Sequence, residues 1–253
     1  MSAVPAIKNG EEIPVARKKS EIERRLVRAL GKMANDAFKS EEYIRFLSLP
    51  MTRKRAAYYI FERSHFHLNR RECWALVQAR APFDVKQLIW HHEEDELAGN
   101  AERGVENHWV LGIREGAAVG LKRADFDKPP SDGTAICTHA WARIAEAEPW
   151  LAALAASCVL EIANSDAIVK GGGIANRIAH KMVKEAKVPL RKQVSNVEHM
   201  EVDISHANLL FEVLPKHVRT KRQEEEVLRG ARLGIGVNKT WFGLMAARME
   251  KIR

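Results

Sequence analysis

One nearly uninterrupted apolar segment, Leu151-Ala-Ala-Leu-Ala-Ala-Ser-Cys-Val-Leu-Glu161-Ile-Ala163, constrains the fold most strongly. Apolar side chains around the whole circumference are typical of a helix that is buried on every side. Glu161 is the only charged residue in this segment. An ionised carboxylate is too costly to bury alone, so Glu161 must meet a cation, a metal or hydrogen-bond donors, or must keep its proton. We favour a metal as its partner.

The remainder of the chain also has helical periodicity. Ser20 and Glu23 form a capping box at the start of the first helix, and no stretch shows the sustained period-two alternation of β-branched residues that is typical of strands. We therefore predict an all-α fold of about eight to ten helices without internal repeats. Pro129-Pro130 and Asp132-Gly133 indicate a loop over residues 122–133. The predicted helices span about residues 20–38, 40–47, 52–79, 84–97, 106–116, 138–150, 151–163, 174–187, 195–214 and 222–251.

The length of the chain sets its domain organisation. With 253 residues, of which 46% are hydrophobic and 29% charged, it fits one large globular domain or at most two small ones. Residues 1–18 contain two prolines and Asn9-Gly10 but few large apolar side chains. We predict that they form a flexible leader and that residues 19–253 form a single domain.

No apolar run reaches the roughly 18 residues that a membrane span needs. The segment Met1-Ser-Ala-Val-Pro-Ala-Ile-Lys8 lacks the hydrophobic region of a signal peptide. We therefore predict a soluble, cytoplasmic protein without a membrane partner. The cysteines Cys73, Cys137 and Cys158 are odd in number and widely spaced, which argues against a disulfide framework and a structural zinc site.

The formal charge of +8 and the pI near 9.5 raise the question of an anionic partner. The basic residues are dispersed among acidic and apolar positions and form no recognisable nucleic-acid motif. Solvated helix faces account for most of the charge, so we do not predict a nucleic-acid partner.

A second constraint is the segment Asn196 to Leu210, which contains His199, Asp203 and His206. Spacings of four and three residues place these side chains on one helix face. Imidazole and carboxylate together suit iron, manganese or zinc. The competing interpretation is an amphipathic helix whose polar stripe faces water.

Other polar residues share helix faces with apolar neighbours. His92, Glu93 and Glu96 lie on a common face of the helix predicted over residues 84–97. Glu62 and Tyr59 share a face within an aromatic-rich segment, where a buried carboxylate needs a partner. Packing and hydrogen bonding explain Tyr59, Glu62 and His92 at least as well as a role in chemistry.

Taken together, these residues resemble the ligand set of the heme-oxygenase-like diiron oxidases and oxygenases, which belong with the pyrroloquinoline-quinone synthases and the TenA proteins. The resemblance covers about residues 40–245. The closing H-x-x-x-D-x-x-H motif matches at His199, Asp203 and His206, and Glu161 matches the family's internal glutamate in its apolar helix and its order in the chain. The cofactor-free relatives lack the full ligand set, which this chain retains.

The resemblance implies a heme-oxygenase-like helical bundle that holds two Fe(II) ions per chain and uses dioxygen as a co-substrate. The implied iron ligands are Glu96, His108, Glu161, His199, Asp203 and His206. Glu93 and Glu94 compete with Glu96 as the first carboxylate, and either Asp203 or Glu161 is a candidate bridging ligand. Tyr59, Glu62 and His92 would surround the site or face the substrate.

The implied function is oxidation of a small substrate, an amino acid or another small carboxylate, in biosynthesis. The resemblance does not choose among carbon–carbon cleavage, N-oxygenation and rearrangement. An external electron donor is compatible with each of them. Arg177 or Lys181 would anchor the substrate, and a homodimer is expected by analogy. Two alternatives stay open: a metal-free quinone-synthase-like oxidase or TenA-like hydrolase, and a non-catalytic helical protein that binds a small ligand or nucleic acid.

Overall fold

The computed structural model describes residues 20–253, and the predicted leader over residues 1–18 lies outside them. Within the described residues the chain is α-helical and has no β-strand; a single isolated bridge joins Asn100 and Val105. The prediction of an all-α fold is confirmed. The α-helices are α1 (Glu21–Ala37), α2 (Glu41–Ser48), α3 (Arg53–Arg80), α4 (Phe83–Ala98), α5 (His108–Ala117), α6 (Asp132–Ala147), α7 (Trp150–Asn164), α8 (Ile174–Lys181), α9 (Val194–His206), α10 (Asn208–His217) and α11 (Lys221–Met249).

Helix α7 is the central helix of the bundle. Every residue from Leu151 to Ala163 is buried, and α7 contacts α1, α3, α6, α8, α9, α10 and α11. The backbone of α11 comes very close to it: a Cβ atom placed on Gly230 would lie 1.9 Å from the carbonyl oxygen of Ala152. The apolar segment is therefore buried on every side, as its composition predicts.

The segment predicted as a loop over residues 122–133 is partly helical. Arg123–Asp127 forms a 3-10 helix, and α6 begins at Asp132 rather than near Thr138. The reason is local, because Ser131 caps α6 by accepting a hydrogen bond from the amide of Thr134 at 3.5 Å.

The helix predicted over residues 195–214 is divided in two. Ala207 separates α9 from α10, and α10 continues past the predicted end, so that Pro215 lies inside it. Proline has no backbone N–H and obstructs the preceding turn, and α10 ends two residues later at His217. None of the described helices combines the length and hydropathy that a membrane span needs.

Candidate metal centre

The six predicted metal ligands come together inside the bundle. Glu96 lies on α4, His108 on α5 and Glu161 on α7, while the other three lie on α9. All six side chains are buried. They fall into groups of three whose ligand atoms lie within 4.8 Å of one another: Glu96 with His108 and His199, and Glu161 with Asp203 and His206.

Glu96 has a special position because it belongs to a second group as well. It joins His92 and His206 in a cluster within the same 4.8 Å limit. Glu161 and Asp203, the predicted bridging candidates, each belong to one group. Of the carboxylates in the site, Glu96 is therefore the one that contacts both halves.

The three glutamates of α4 that compete as the first carboxylate have different surroundings in the structure. Oε2 of Glu96 lies 2.8 Å from Nδ1 of His108. Glu93 points to α3, where its Oε1 accepts a hydrogen bond from Nη1 of Arg71 at 2.8 Å. The side chain of Glu94 is 60% exposed. Only Glu96 of the three lies within the ligand cluster.

Arg71 provides the positive charge that compensates the carboxylates of Glu93 and Glu96. Its Nη1 lies 3.0 Å from Oε2 of Glu96 as well as 2.8 Å from Glu93. Burial opposes ionisation of Glu96, but the charges of Arg71 and His108 hold the pKa of Glu96 well below its usual range. Glu96 is therefore an anion in this environment and available as a ligand.

The face of α9 has the predicted geometry. His199 is held through its Nδ1, which lies 2.7 Å from the carbonyl oxygen of Ser195. A carbonyl can only accept a hydrogen bond, so Nδ1 carries the proton and Nε2 keeps its lone pair for another partner. Burial and the nearby His108 lower the pKa of His199 to about 3, which keeps the ring neutral, as a metal ligand must be.

Asp203 and His206 lack the partners that buried polar groups normally have. Neither carboxylate oxygen of Asp203 and neither ring nitrogen of His206 has a hydrogen-bond partner among the described residues. The nearest carboxylate oxygen to His206 is Oδ2 of Asp95, at 3.5 Å. Burial and the charges of Glu161 and Glu96 raise the pKa of Asp203 well above its usual range. Buried orphan groups of this kind point to a missing cation.

His92 packs against the cluster but does not line the bundle cavity described below. Its ring packs against Trp74 and His206, with ring centroids 4.5 and 4.3 Å away. Nδ1 lies 3.0 Å from Oε1 of Glu93, and Nε2 lies 3.8 Å from Oε1 of Glu161. Burial favours the neutral ring, but these two carboxylates raise the pKa of His92 to about 9.

Glu161 shows the reciprocal effect. Burial favours its neutral form, but the nearby His92 lowers the pKa of Glu161 to about 2 through its positive charge. The sequence requires a partner for this isolated carboxylate, and in the structure described here a histidine fills that place.

A cavity of about 70 Å³ lies beside the cluster. A single water needs roughly 10–15 Å³ by this measure, so the cavity accommodates a small molecule of several heavy atoms. Glu96, Glu161 and His199 line it, which places three of the six predicted ligands on its wall. Its aromatic wall consists of Tyr59, Phe66, Trp241 and Phe242.

Of the predicted residues around the site, Tyr59 lines this cavity and Glu62 does not. Burial raises the pKa of Tyr59, which keeps its hydroxyl protonated. Both carboxylate oxygens of Glu62 accept the backbone N–H of Ser131, at 3.1 and 3.2 Å. Glu62 is thus the buried partner of the α6 N-terminus, and the structure separates it from the cluster.

The structure places the predicted substrate anchors outside this cavity. Arg177 donates from Nε to the carbonyl oxygen of Gly172 at 2.8 Å and from Nη2 to that of Lys170 at 2.7 Å. Lys181 pairs with Glu185 at 2.9 Å. Neither side chain lines the cavity, and turn carbonyls and a neighbouring carboxylate take their donors.

The sequence interpretation missed the arginines of α3 that line the cavity: Arg63, Arg70 and Arg71. Tyr59, Arg63, Phe66 and Arg70 follow one another at spacings of four, three and four residues. This is the spacing of one helix face. The sequence therefore places these four side chains on one helix face, but it does not indicate that this face points into the bundle.

A buried network positions α9 against α3 and α5. Arg63 donates from Nη1 to Oδ1 of Asn196 at 2.5 Å and from Nη2 to Oε1 of Glu115 at 3.2 Å. Oε2 of Glu115 accepts the backbone N–H of Asn196 at 2.9 Å. Since Asn196 lies three residues before His199, the network fixes the start of the ligand-bearing helix.

Solved structures share this architecture. A domain of unknown function with a heme oxygenase-like fold from Shewanella denitrificans superposes with a TM-score of 0.70 at 16% identity, covering 90% of this chain and 93% of the other. A CADD-like protein of unknown function from Nostoc punctiforme gives 0.70 at 17% identity, covering 90% and 99%. A TenA homolog from Pseudomonas syringae gives 0.62 at 10% identity, covering 90% and 93%. The heme-oxygenase-like fold is therefore confirmed.

A comparison with curated proteins gives no match. A family model described as iron-containing redox enzyme matches residues 57–238. This match spans all six residues of the ligand cluster and most of the cavity wall.

Proposed function

Because the chain belongs to the iron-containing redox enzyme family, we propose that it is a non-heme diiron enzyme that uses dioxygen to oxidise a small carboxylate substrate. The observation that carries this proposal is the buried cluster of three carboxylates and three imidazoles. Asp203 and His206 in that cluster have ligand atoms without hydrogen-bond partners.

The residues fit two ferrous ions. Histidine nitrogen and carboxylate oxygen are suitable iron ligands, and the cysteines Cys73, Cys137 and Cys158 belong to none of the groups. Glu96, His108 and His199 would hold one ion, and Glu161, Asp203 and His206 the other. Glu96 would be the shared ligand, in place of Asp203 or Glu161, because it alone of the three carboxylates belongs to two groups.

When bound, two ferrous ions supply electrons for the reduction of dioxygen, which side chains cannot do alone. The chain's own residues hold the ligands in place and keep water out. The carbonyl of Ser195 keeps the Nδ1 proton on His199, and Arg71 holds Glu96 ionised. His92, fixed by Glu93, would orient Glu161 from outside the cavity. His92 is therefore proposed as a positioning residue.

The cavity would hold the substrate. Its wall includes the ligands Glu96, Glu161 and His199 and the aromatic side chains of α3 and α11, so a bound molecule would lie directly against the metal centre. Tyr59 would contact it through its protonated hydroxyl. The carboxylate of a small substrate would match the arginines that share this wall.

The first test is an anaerobic ferrous titration of the full chain, followed by measurement of oxygen consumption on exposure to air. We expect about two ferrous ions per chain and oxygen uptake that depends on them. Glu96→Gln should lose most of this iron, since its carboxylate serves both ions, and Asp203→Asn should lose one ion or both. Glu94→Gln is the matched control on α4 and should bind iron as the wild type does.

Iron binding at background level, or equal binding by Glu96→Gln and Glu94→Gln, would contradict the proposal. Turnover that survives chelation would instead support a metal-free enzyme in which the histidines act as acid and base.

A further inference from the structure

The cavity is lined by three arginines that differ in their partners. Nη2 of Arg63 lies 3.2 Å from a carboxylate oxygen of Glu115, and Nη1 of Arg71 lies 2.8 Å from one of Glu93. Arg70 has no carboxylate within ion-pair distance among residues 20–253. Of the three arginines, Arg70 is therefore the one without a carboxylate in direct contact within the described residues.

Arg70 is a buried guanidinium, with 3% of its surface exposed. Its Nη2 donates to the carbonyl oxygen of Ser157 at 3.3 Å, while its Nη1 is buried without a hydrogen-bond partner in the described part of the chain. The guanidinium carbon lies 4.3 Å from the ring centroid of Trp141 and 5.9 Å from that of Trp74. These two rings hold the side chain in place.

A guanidinium keeps its proton in proteins, so burial does not neutralise Arg70. Burying a charge without a counter-ion is costly. The burial of Arg70 is explained if a ligand supplies its counter-ion. A carboxylate suits this role, since planar guanidinium groups bind carboxylates through two parallel hydrogen bonds.

Among the described residues, the same wall offers an ammonium group no carboxylate beyond Glu96 and Glu161, which the proposed function uses as iron ligands. The rest of the wall is apolar, aromatic, amide, imidazole or cationic, and includes Leu160, Ile174 and Phe242. An α-amino acid would therefore place its ammonium group near three arginines without a counter-charge of its own.

On the basis of the proposed function, we propose that Arg70 binds the carboxylate of the substrate and that this substrate is an organic carboxylate with an apolar body and no ammonium group. The carboxylate would be held at Arg70 on α3, and the apolar body would pack along the aromatic wall towards Glu96, Glu161 and His199.

The test measures binding to the metal-free full chain, because iron can itself bind a carboxylate. The probes are hexanoate, hexanamide and 2-aminohexanoate, which share one carbon chain, and binding is followed by isothermal titration calorimetry. Hexanoate should bind about tenfold or more tightly than hexanamide, as expected for one charge-assisted pair.

Arg70→Met should lower hexanoate affinity by about tenfold or more and leave hexanamide affinity unchanged. Arg70→Lys should retain part of the preference, since it keeps the charge but loses the planar geometry. Arg177→Met is the matched control. That arginine also lies over an aromatic ring, 4.6 Å from the centroid of Phe38, but lies outside the cavity, so its replacement should change none of the affinities.

Equal affinities for hexanoate and hexanamide, no binding of hexanoate, or an unchanged preference in Arg70→Met would overturn the role of Arg70. In the metal-free chain Glu96 and Glu161 would be free to pair with an ammonium group, so 2-aminohexanoate and hexanoate are compared on the chain loaded anaerobically with Fe(II). Tighter binding of 2-aminohexanoate than of hexanoate there would overturn the exclusion of amino acids. The comparison among probes in the wild type stands even if Arg70→Met does not fold. Since the comparison of hexanoate with hexanamide contains no iron, its failure is separate from a failure of the ferrous titration.

Discussion

At the scale of single residues, the buried carboxylates of Glu62 and Asp203 differ in their hydrogen-bond partners. Glu62 accepts the amide of Ser131 with both oxygens. Neither oxygen of Asp203 has a partner within residues 20–253, and its neighbours Glu161 and Glu96 are acidic. The first carboxylate therefore stabilises the fold, whereas the second has the properties that the proposed role as a metal ligand requires.

This contrast predicts the effect of Glu62→Ala. The substitution leaves a buried amide of Ser131 without its acceptor, so the free energy of unfolding should fall by about 1–3 kcal/mol. The ferrous stoichiometry should not change, because Glu62 lies outside the ligand groups. Urea denaturation and ferrous titration measure the two effects.

The control is Glu72→Ala on the same helix, whose carboxylate makes only an exposed contact with Asn69, and which should alter stability by less than about 0.5 kcal/mol. Loss of iron in Glu62→Ala would show that this residue acts on the site after all.

At the scale of the elements, the site depends on how closely α11 packs on α7. A Cβ atom at Gly230 would approach the carbonyl oxygen of Ala152 to 1.9 Å, and one at Gly234 would approach that of Ala156 to 2.5 Å. The helix α7 carries Glu161, and α11 supplies Trp241 and Phe242 to the cavity wall. The two glycines therefore set the distance between the metal centre and the aromatic wall.

We expect Gly230→Ala to destabilise the protein by about 2–3 kcal/mol, because the added methyl group forces two backbones apart. Gly236→Ala on the same helix should instead be neutral or stabilising by up to about 1 kcal/mol, since nothing lies within 4 Å of its Cβ position and alanine is the better helix former. Thermal or urea denaturation of both variants makes the comparison. Equal stabilities would show that α11 moves away from α7 without cost.

At the scale of the whole molecule, the ligand cluster links helices that are far apart in sequence. Its six residues come from α4, α5, α7 and α9, so two bound ions would together connect four elements that only the folded state brings together. Binding to the folded state alone raises stability by mass action.

Iron should therefore stabilise the protein. At a free ferrous concentration about 100 times the dissociation constant, the free energy of unfolding should rise by roughly 2.7 kcal/mol for each independent site. Anaerobic denaturation with and without Fe(II) measures this rise, and Asp203→Asn should show little of it. A rise of the same size in that variant would place the stabilising ion elsewhere.

The sequence by itself determined those features that depend on one helix. Periodicity places His199, Asp203 and His206 on a common face wherever α9 packs, and the apolar surroundings of Glu161 require a partner whatever that partner is. The all-α fold follows from the same local patterns. The predicted homodimer, the cytoplasmic location and the external electron donor remain predictions.

Only the tertiary structure decided which neighbouring helices meet. Glu93, Glu94 and Glu96 are nearly equivalent in sequence. The rotation of α4 pairs Glu93 with Arg71, leaves Glu94 exposed to solvent and places Glu96 in the ligand cluster beside His108. Likewise, Arg70 and Arg177 each lie against an aromatic ring, yet one faces the cavity and the other a turn. The physical reason is that a helix specifies the relative directions of its own side chains, whereas long-range packing selects the direction that points inward.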